Sequence, residues 1–338
     1  MTLNLTSIAD YTALISSLPQ ADAATAQLAA DRQGQLTKPP GSLGRLEDIA
    51  IWVASWQGQE KPELNNPACV IFAGNHGVAA LGVSAFPAEV TAQMVGNFAA
   101  GGAAINQLTR AAGASLDVVA LDLDQPTADF TQGPAMRHDE TLAAMASGAA
   151  AIPEGTDILL VGEMGIANTT SAAAVGLACL GGSAEDWVGP GTGIDADGVK
   201  LKADVISRGL AANSALMSSG IDVLSAVGGR ELAAIAGAVL AARHRGIPVL
   251  LDGFISSASA LPLLMDNPAA LDHCLISHRS KEPGHQMIID KTGKAPIIDL
   301  GLRLGEGSGA ATALPIIRAA VAAHSGMATF AEAGVAGA

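Results

Sequence analysis

Aromatic side chains are scarce, 3% of 338 residues, and there are only three cysteines. Cys69, Cys179 and Cys274 stand far apart in apolar stretches. They form no disulfide framework and read as reduced core thiols of a cytoplasmic protein. Cations are also few: 18 Lys and Arg against 32 Asp and Glu, a formal charge of −14. Nucleic-acid binding needs cations gathered on one face. Here they are scattered, which argues against a nucleic-acid partner. The same acidity repels anions, so any phosphate site must be locally positive or rich in backbone N–H groups. Long apolar runs are missing as well. Arg243, His244 and Arg245 break one and Arg318 another, and none reaches the roughly 20 residues that cross a bilayer. The opening Met1-Thr2-Leu3-Asn4-Leu5 has no basic stretch, so no signal peptide is expected. No Gly-x-Gly-x-x-Gly opens the first βα unit, no Gly-x-Ser-x-Gly elbow follows a strand, and no Walker A ending occurs, which count against a dinucleotide dehydrogenase, an α/β-hydrolase and an ATPase. No second His or Cys stands at zinc-ligand spacing around His76.

What the chain does have is small residues. Apolar residues make up 49% and glycines number 39, a composition suited to helices packed closely on a sheet and to turns that bring backbone near a ligand. Residues 7–33 read as two short amphipathic helices split by Pro19. A Lys38–Gly44 loop and a helix over Arg45–Trp56 follow, and Asn65-Asn66-Pro67 marks a turn. Beyond it, short apolar runs alternate with Ala-rich helical segments. Six runs read as strands: Cys69–Ala73, Asp117–Leu121, Asp157–Val161, Pro248–Leu251, Cys274–Ile276 and Ile297–Asp299. They lack polar alternation, as strands buried on both faces do. The segments between them are long enough for crossovers, so the expected fold is α/β, a mostly parallel six-stranded sheet with helices on both faces. Helices are expected again over Gly309–Ala322 and Met327–Glu332.

The polar residues that stand out follow these strands, and in open α/β sheets the ligand cleft lies outside the carboxyl ends of the strands. Five loops are involved: Gly74–Gly77, Gly162–Gly165, Asp252-Gly253, Ser277–Ser280 and Arg303–Gly309. In Leu304-Gly305-Glu306-Gly307-Ser308-Gly309 a Gly-flanked carboxylate meets a helix start, where N–H groups are free and the dipole is positive. The plainer reading is Ser308 as a helix cap with Glu306 in solvent. Glu163 sits directly at a strand exit, with Asn168, Thr169 and Thr170 beyond it as caps or as ligand contacts. Val188-Gly189-Pro190-Gly191-Thr192-Gly193, with Lys200 and Lys202 following, can hold one phosphate or be a surface loop. Ser277-His278-Arg279-Ser280-Lys281-Glu282-Pro283-Gly284-His285 offers hydroxyls and cations that fit an anion, or is a solvated turn. His76, with Ser84 and Pro87 beyond it, is either a polar contact or a satisfied core residue.

Six strings in register, from about residue 36 to 312, resemble one family. They are Lys38–Glu47, Asn75–Val78, Gly162–Thr170, Val227–Gly229, Pro248–Phe254 and Arg303–Ala310. The resemblance is to the nicotinate-nucleotide–dimethylbenzimidazole phosphoribosyltransferases. It implies a Rossmann-like large domain (61–309) with a small helical domain built from both termini (1–60 and 310–338). It further implies a homodimer whose neighbouring subunit helps close the site, and no metal or organic cofactor. By resemblance Glu306 is the general base and Glu163 lies in the same site. One departure is that the family's first strand often ends in Asp-His-Gly, where this chain has Asn75-His76-Gly77, one carboxylate fewer near the base-binding end.

The expected substrates are therefore nicotinate mononucleotide and 5,6-dimethylbenzimidazole, with α-ribazole 5′-phosphate and nicotinate as products. Glu306 and Glu163 are the candidate catalytic residues. The candidate substrate contacts are Asn75, His76, Ser84, Gly165, Asn168, Thr169, Lys202, Asp252, Ser277, His278, Ser280, Leu304, Gly305, Gly307 and Ser308. Ser277, Ser280, Lys202 and nearby glycine N–H groups are expected to hold the ribose phosphate. A nucleotide N-glycosidase and a non-catalytic ribazole-nucleotide binder are the competing readings. The second has no need of two acids at a cleft.

Overall fold

A computed structural model describes residues 3–191 and 193–336. Thr192, inside the Gly189–Gly193 string, and Met1 and Thr2 of the opening run lie outside the described residues. The chain opens with α1 (Ile8–Ser16), α2 (Ala23–Gln35) and α3 (Arg45–Gln57). Pro19 separates the first two, and side-chain caps start both: Ser7 Oγ accepts from Asp10 N at 3.1 Å and Asp22 Oδ1 from Thr25 N at 3.0 Å. Then come β1 (Pro67–Ala73), a short 3₁₀ turn at Gly77–Leu81, α4 (Glu89–Ala99), α5 (Ala104–Ala112), β2 (Ser115–Ala120), α6 (His138–Ala150) and β3 (Ile158–Met164). Four helices follow β3: α7 (Asn168–Leu180), α8 (Ala184–Trp187), α9 (Ala196–Asn213) and α10 (Gly220–Val227). The remainder is α11 (Arg230–His244), β4 (Val249–Leu251), α12 (Phe254–Asp266), β5 (Cys274–Ile276), α13 (Pro283–Thr292), α14 (Ser308–Gly326) and α15 (Phe330–Ala333).

The five strands are all parallel, in the order β2-β1-β3-β4-β5. The expected sixth strand, Ile297–Asp299, is corrected. Only Ile298 pairs, in a single parallel bridge to His278. Ile297 and Ile298 donate to Ser277 O at 3.1 and 3.0 Å, and Arg279 N to Ile298 O at 2.9 Å. Ile297 N also reaches Ile276 O at 3.1 Å, so the contact starts only at the last residue of β5 and runs along its exit loop without forming a ladder.

Alternation within the strands divides the core in two. Cys69, Ile71, Ile158, Leu160 and Leu250 face α3, α5 and α14. Val70, Phe72, Leu159, Val161, Val249 and Leu251 face the helices that include α6, α7, α10, α11 and α12. Both faces are covered, which is why the strands read as unbroken apolar runs. The small-residue composition shows its use between α6 and α11: a Cβ on Gly148 would lie 1.8 Å from Ala234 O, and one on Gly237 2.0 Å from Met145 O. The order reverses between β1, whose crossover leads outward to β2, and β3, which continues the other way through β4 to β5. The carboxyl ends of the strands beside that switch are where such folds bind ligands.

Candidate active site

One cavity of about 770 Å³ opens at that edge, a volume typical of small-molecule sites. Its inner end is acidic and its geometry is set by glycines. Gly305, Glu306 and Gly307 take φ of +85°, +62° and +80° in succession. The left-handed turn costs a non-glycine residue roughly 1–2 kcal/mol, so Glu306 is held there by its surroundings. Two contacts supply the hold. Gly162 of β3 lies so close beneath that a Cβ on it would be 2.6 Å from Gly307 N. Asp252, at the exit of β4, accepts from Gly307 N (3.1 Å, Oδ2) and Ala310 N (2.9 Å, Oδ1), capping α14 from outside its own chain segment.

Glu306 is buried, and its Oε2 has no hydrogen-bond partner among the described residues. Burial, and then the Asp252 carboxylate, push its pKa up to about 7. Glu163, the penultimate residue of β3, is also buried. Its Oε2 accepts from Asn168 Nδ2, and its Oε1 lies close against Gly305. Burial pushes its pKa up to about 8; the Asn168 bond opposes the shift, while Asp252, Glu231 and Glu306 add to it. Burial likewise raises Asp252, opposed by His278 and by the N–H groups of Ala310, Gly309 and Gly307. His278, at the exit of β5, stands 3.8 Å from Asp252 Oδ1, and both its ring nitrogens lack a hydrogen bond among the described residues.

The outer end is different. Thr169, Gly191, Ser280, Glu282 and Arg303 line it. Lys202, 1% exposed, reaches in from behind: its Nζ donates to Thr169 Oγ1 at 3.1 Å and to Gly189 O at 3.2 Å. Burial lowers its pKa, against the attraction of Glu282. Arg303 donates to Gly191 O at 3.3 Å. Between the ends, Val90, Met94, Met164 and Ile166 form an apolar wall, with Phe86 at the rim, 52% exposed. The arrangement offers two buried carboxyls and an apolar wall to one part of a ligand, and hydroxyls, two cations and the Glu282 carboxylate to another.

Ten of the residues named from the sequence line this cavity: Glu163, Gly165, Asn168, Thr169, Asp252, His278, Ser280, Leu304, Gly305 and Glu306. The others stand behind or beside its wall. Ser277 Oγ donates to Asp252 O at 2.6 Å. Gly307 and Ser308 form the start of α14, Ser308 buried. Asn75 Nδ2 donates to Leu123 O at 3.0 Å. His76 is enclosed by Glu231 and Ser171. Ser84 is half-buried two residues before Phe86. Sequence reasoning missed Glu282 and Arg303, although both stand inside strings it quoted. It also missed the apolar wall, whose one signal is Val90 and Met94 four residues apart on α4, hence on one helix face.

A family model described as phosphoribosyltransferase matches residues 18–335. A protein of Ruegeria sp. (strain TM1040) is 56% identical over 98% of both chains, and one of Sinorhizobium medicae (strain WSM419) 55% identical over 96% of both. Both carry the name nicotinate-nucleotide–dimethylbenzimidazole phosphoribosyltransferase. A crystal structure of the Thermus thermophilus protein of that name superposes with a TM-score of 0.86 at 41% identity, covering 94% of this chain and all of that one.

Proposed function

Because this chain belongs to the nicotinate-nucleotide–dimethylbenzimidazole phosphoribosyltransferase family, we propose that it moves the 5-phosphoribosyl group of nicotinate mononucleotide onto 5,6-dimethylbenzimidazole, as in assembly of the cobalamin lower ligand. The observation that carries the reading is the paired burial of Glu163 and Glu306 at one end of a cavity whose other end gathers Thr169, Gly191, Ser280, Arg303 and, behind them, Lys202, with Glu282 beside the two cations. The first end suits a base that must lose a proton and the second a phosphate. Ser277 enters this reading through Asp252, and His278, Gly165, Leu304 and Gly305 through the cavity wall.

The pyridinium nitrogen of the donor leaves with the electron pair of its bond to C1′ and departs neutral, so it needs no acid. One ring nitrogen of the benzimidazole forms the new bond to C1′ while the N–H on the other gives its proton to Glu306. Base catalysis of this kind is worth about 10²- to 10⁴-fold, and holding C1′ and the nitrogen in line contributes further. Direct displacement turns the β-glycosidic bond into an α one. Near neutral pH Glu163 stays mostly protonated while Glu306 is partly ionised and free to accept a proton. With Asn168 occupying Oε2, the proton of Glu163 belongs on Oε1. In this reading the enzyme is cytoplasmic and works as a homodimer.

The test is to mix purified protein with nicotinate mononucleotide and 5,6-dimethylbenzimidazole and identify products by mass and chromatography. The expected result is an α-linked ribazole phosphate formed only when both substrates are present. Nicotinate released without acceptor would show a glycosidase instead, and intact substrates would leave a binding protein.

A further inference from the structure

Behind the acidic end lies a second polar cluster that the transfer reaction does not use. His76, on the exit loop of β1, and Glu231, in the first turn of α11, meet at 2.5 Å between Nε2 and Oε1 with both side chains 0% exposed. Ser171 Oγ of α7 lies 3.0 Å from the other ring nitrogen, Nδ1. No solvent or substrate reaches this row, so its hydroxyl is no nucleophile. Two polar side chains buried so completely are costly to enclose, and three neighbouring positions are glycines where a side chain would collide with them. A Cβ on Gly74 would fall 2.4 Å from Glu231 Oε2, one on Gly229 2.3 Å from His76 Cε1, and one on Gly165 2.9 Å from Glu231 Oε1 and 2.7 Å from Gly74 O.

Those glycines belong to the loops that shape the site. Gly74 N donates to Met164 O at 3.0 Å, tying the exit of β1 to the last residue of β3. Gly165 is next in line, and its O accepts from Asn168 N at 3.2 Å. Asn168 in turn donates to Glu163, and its Nδ2 would stand 3.2 Å from a Cβ on Gly165. The chain of contact from Glu231 to Glu163 is therefore short and buried.

We infer that His76, Glu231 and Ser171 are positioning residues for Glu163: the pair clamps the exit loops of β1 and β3 at Gly74 and Gly165, so that Asn168 meets Glu163, and sets a second carboxylate behind it. This deepens the transferase reading and rests on it for its consequence in catalysis. The charged groups facing Glu163 are Asp252 from the β4 exit, Glu231 from α11 and Glu306 from the loop before α14. His76 lies beyond Glu231, and His278 beyond Asp252. Each of the three carboxylates favours the neutral form of Glu163.

The test uses the full-length enzyme with Glu231→Gln, which keeps shape and can still bond His76, and with Gly74→Ala, which crowds Glu231 but keeps its charge. The protonated carboxyl of Glu163 is followed by infrared difference spectra against pH, its band identified by its loss in Glu163→Gln. This readout needs no turnover, so it stands even if the transferase reading fails. The expected result is a titration midpoint near 8 in the parent, shifted to lower pH in Glu231→Gln. In steady-state assays, kcat should fall by about 10²-fold in Gly74→Ala, as for a misplaced catalytic group, with KM for both substrates within about twofold of the parent. An unmoved midpoint in Glu231→Gln overturns the charge part of the inference. Parent kcat in a folded Gly74→Ala, or a loss of kcat matched by KM, overturns the positioning part. If Glu231→Gln fails to fold, Ser171→Ala takes its place: it frees His76 Nδ1 but leaves the Glu231 carboxylate, so the midpoint should stay near that of the parent while kcat falls with KM held, and a parent kcat in it overturns the inference.

Discussion

At the scale of single residues, the two buried glutamates decide how the molecule responds to pH. In the proposed transfer Glu306 must be ionised to accept a proton, so its raised pKa of about 7 is expected to set the acid limb of kcat/KM. Loss of the proton from Glu163 near 8 places a second negative charge in the same cavity and sets the alkaline limb, so a narrow bell is expected, with both limbs belonging to the pair. Glu306→Gln should lower kcat by about 10²- to 10⁴-fold while leaving nicotinate mononucleotide binding intact, measured by steady-state kinetics and calorimetry. Stability follows with a defined sign. Glu163 binds its proton more tightly folded (about 8) than its ordinary value of 4.5. Its contribution is therefore complete below about 4.5 and is lost as pH rises through about 8. Urea unfolding at pH 5 and pH 9 should show the parent losing more stability than Glu163→Gln, by the order of a few kcal/mol. The sequence suggested that both glutamates follow strands, but Glu163 is the penultimate residue of β3 and the run before Glu306 makes a single bridge. What it lacked was burial: nothing in Gly162-Glu163-Met164-Gly165 says that Asn168 and Gly305 would close over the carboxyl.

At the scale of elements, the strands were legible because their physics is local. A run such as Val70-Ile71-Phe72 is apolar on both sides only if both faces are covered. Ile297-Ile298 has the same composition, but its pairing depends on where β5 ends, and only one bridge forms. Loop function is less local still. Asp252 reads as the polar end of a strand, yet its carboxylate caps a helix that begins 56 residues later, at Ser308. His76 reads as a candidate contact, whereas the partner that absorbs it, Glu231, is 155 residues away. The Asp252 cap can be tested by itself. Asp252→Ala strips the donors of Gly307 and Ala310 of their acceptor and frees the left-handed turn at Glu306. Cap loss costs about 0.5–2 kcal/mol, so a modest fall in the urea midpoint is expected together with a disproportionate loss of kcat, because the turn that holds the proposed proton acceptor is the part released.

At the scale of the whole molecule, α14 joins the cavity to the chain's amino-terminal helices. Its first turn carries the Glu306 loop. Its last turn is gripped by Arg32 of α2, whose Nε donates to His324 O at 3.0 Å and whose Nη2 donates to Met327 O at 2.8 Å and Ser325 O at 3.4 Å. Leu36 and Thr329 add an antiparallel bridge just beyond. Arg32 is 6% exposed, so its donors have few partners other than these carbonyls. Periodicity showed α2 as an amphipathic helix but could not show that a cation on it would serve the far end of the chain. Lysine cannot reproduce the planar fork, so Arg32→Lys leaves buried carbonyls short of donors, at about 1–3 kcal/mol. The two ends of α14 then give opposite signatures. Asp252→Ala should lose kcat out of proportion to stability. Arg32→Lys should lower the urea midpoint while kcat, assayed well below the transition, stays within about twofold of the parent, since less than a tenfold change corresponds to under about 1.4 kcal/mol at the barrier. Equal losses of kcat in both variants would mean that α14 transmits disorder along its length, and that the cavity depends on the packing of the chain termini as much as on the sheet edge.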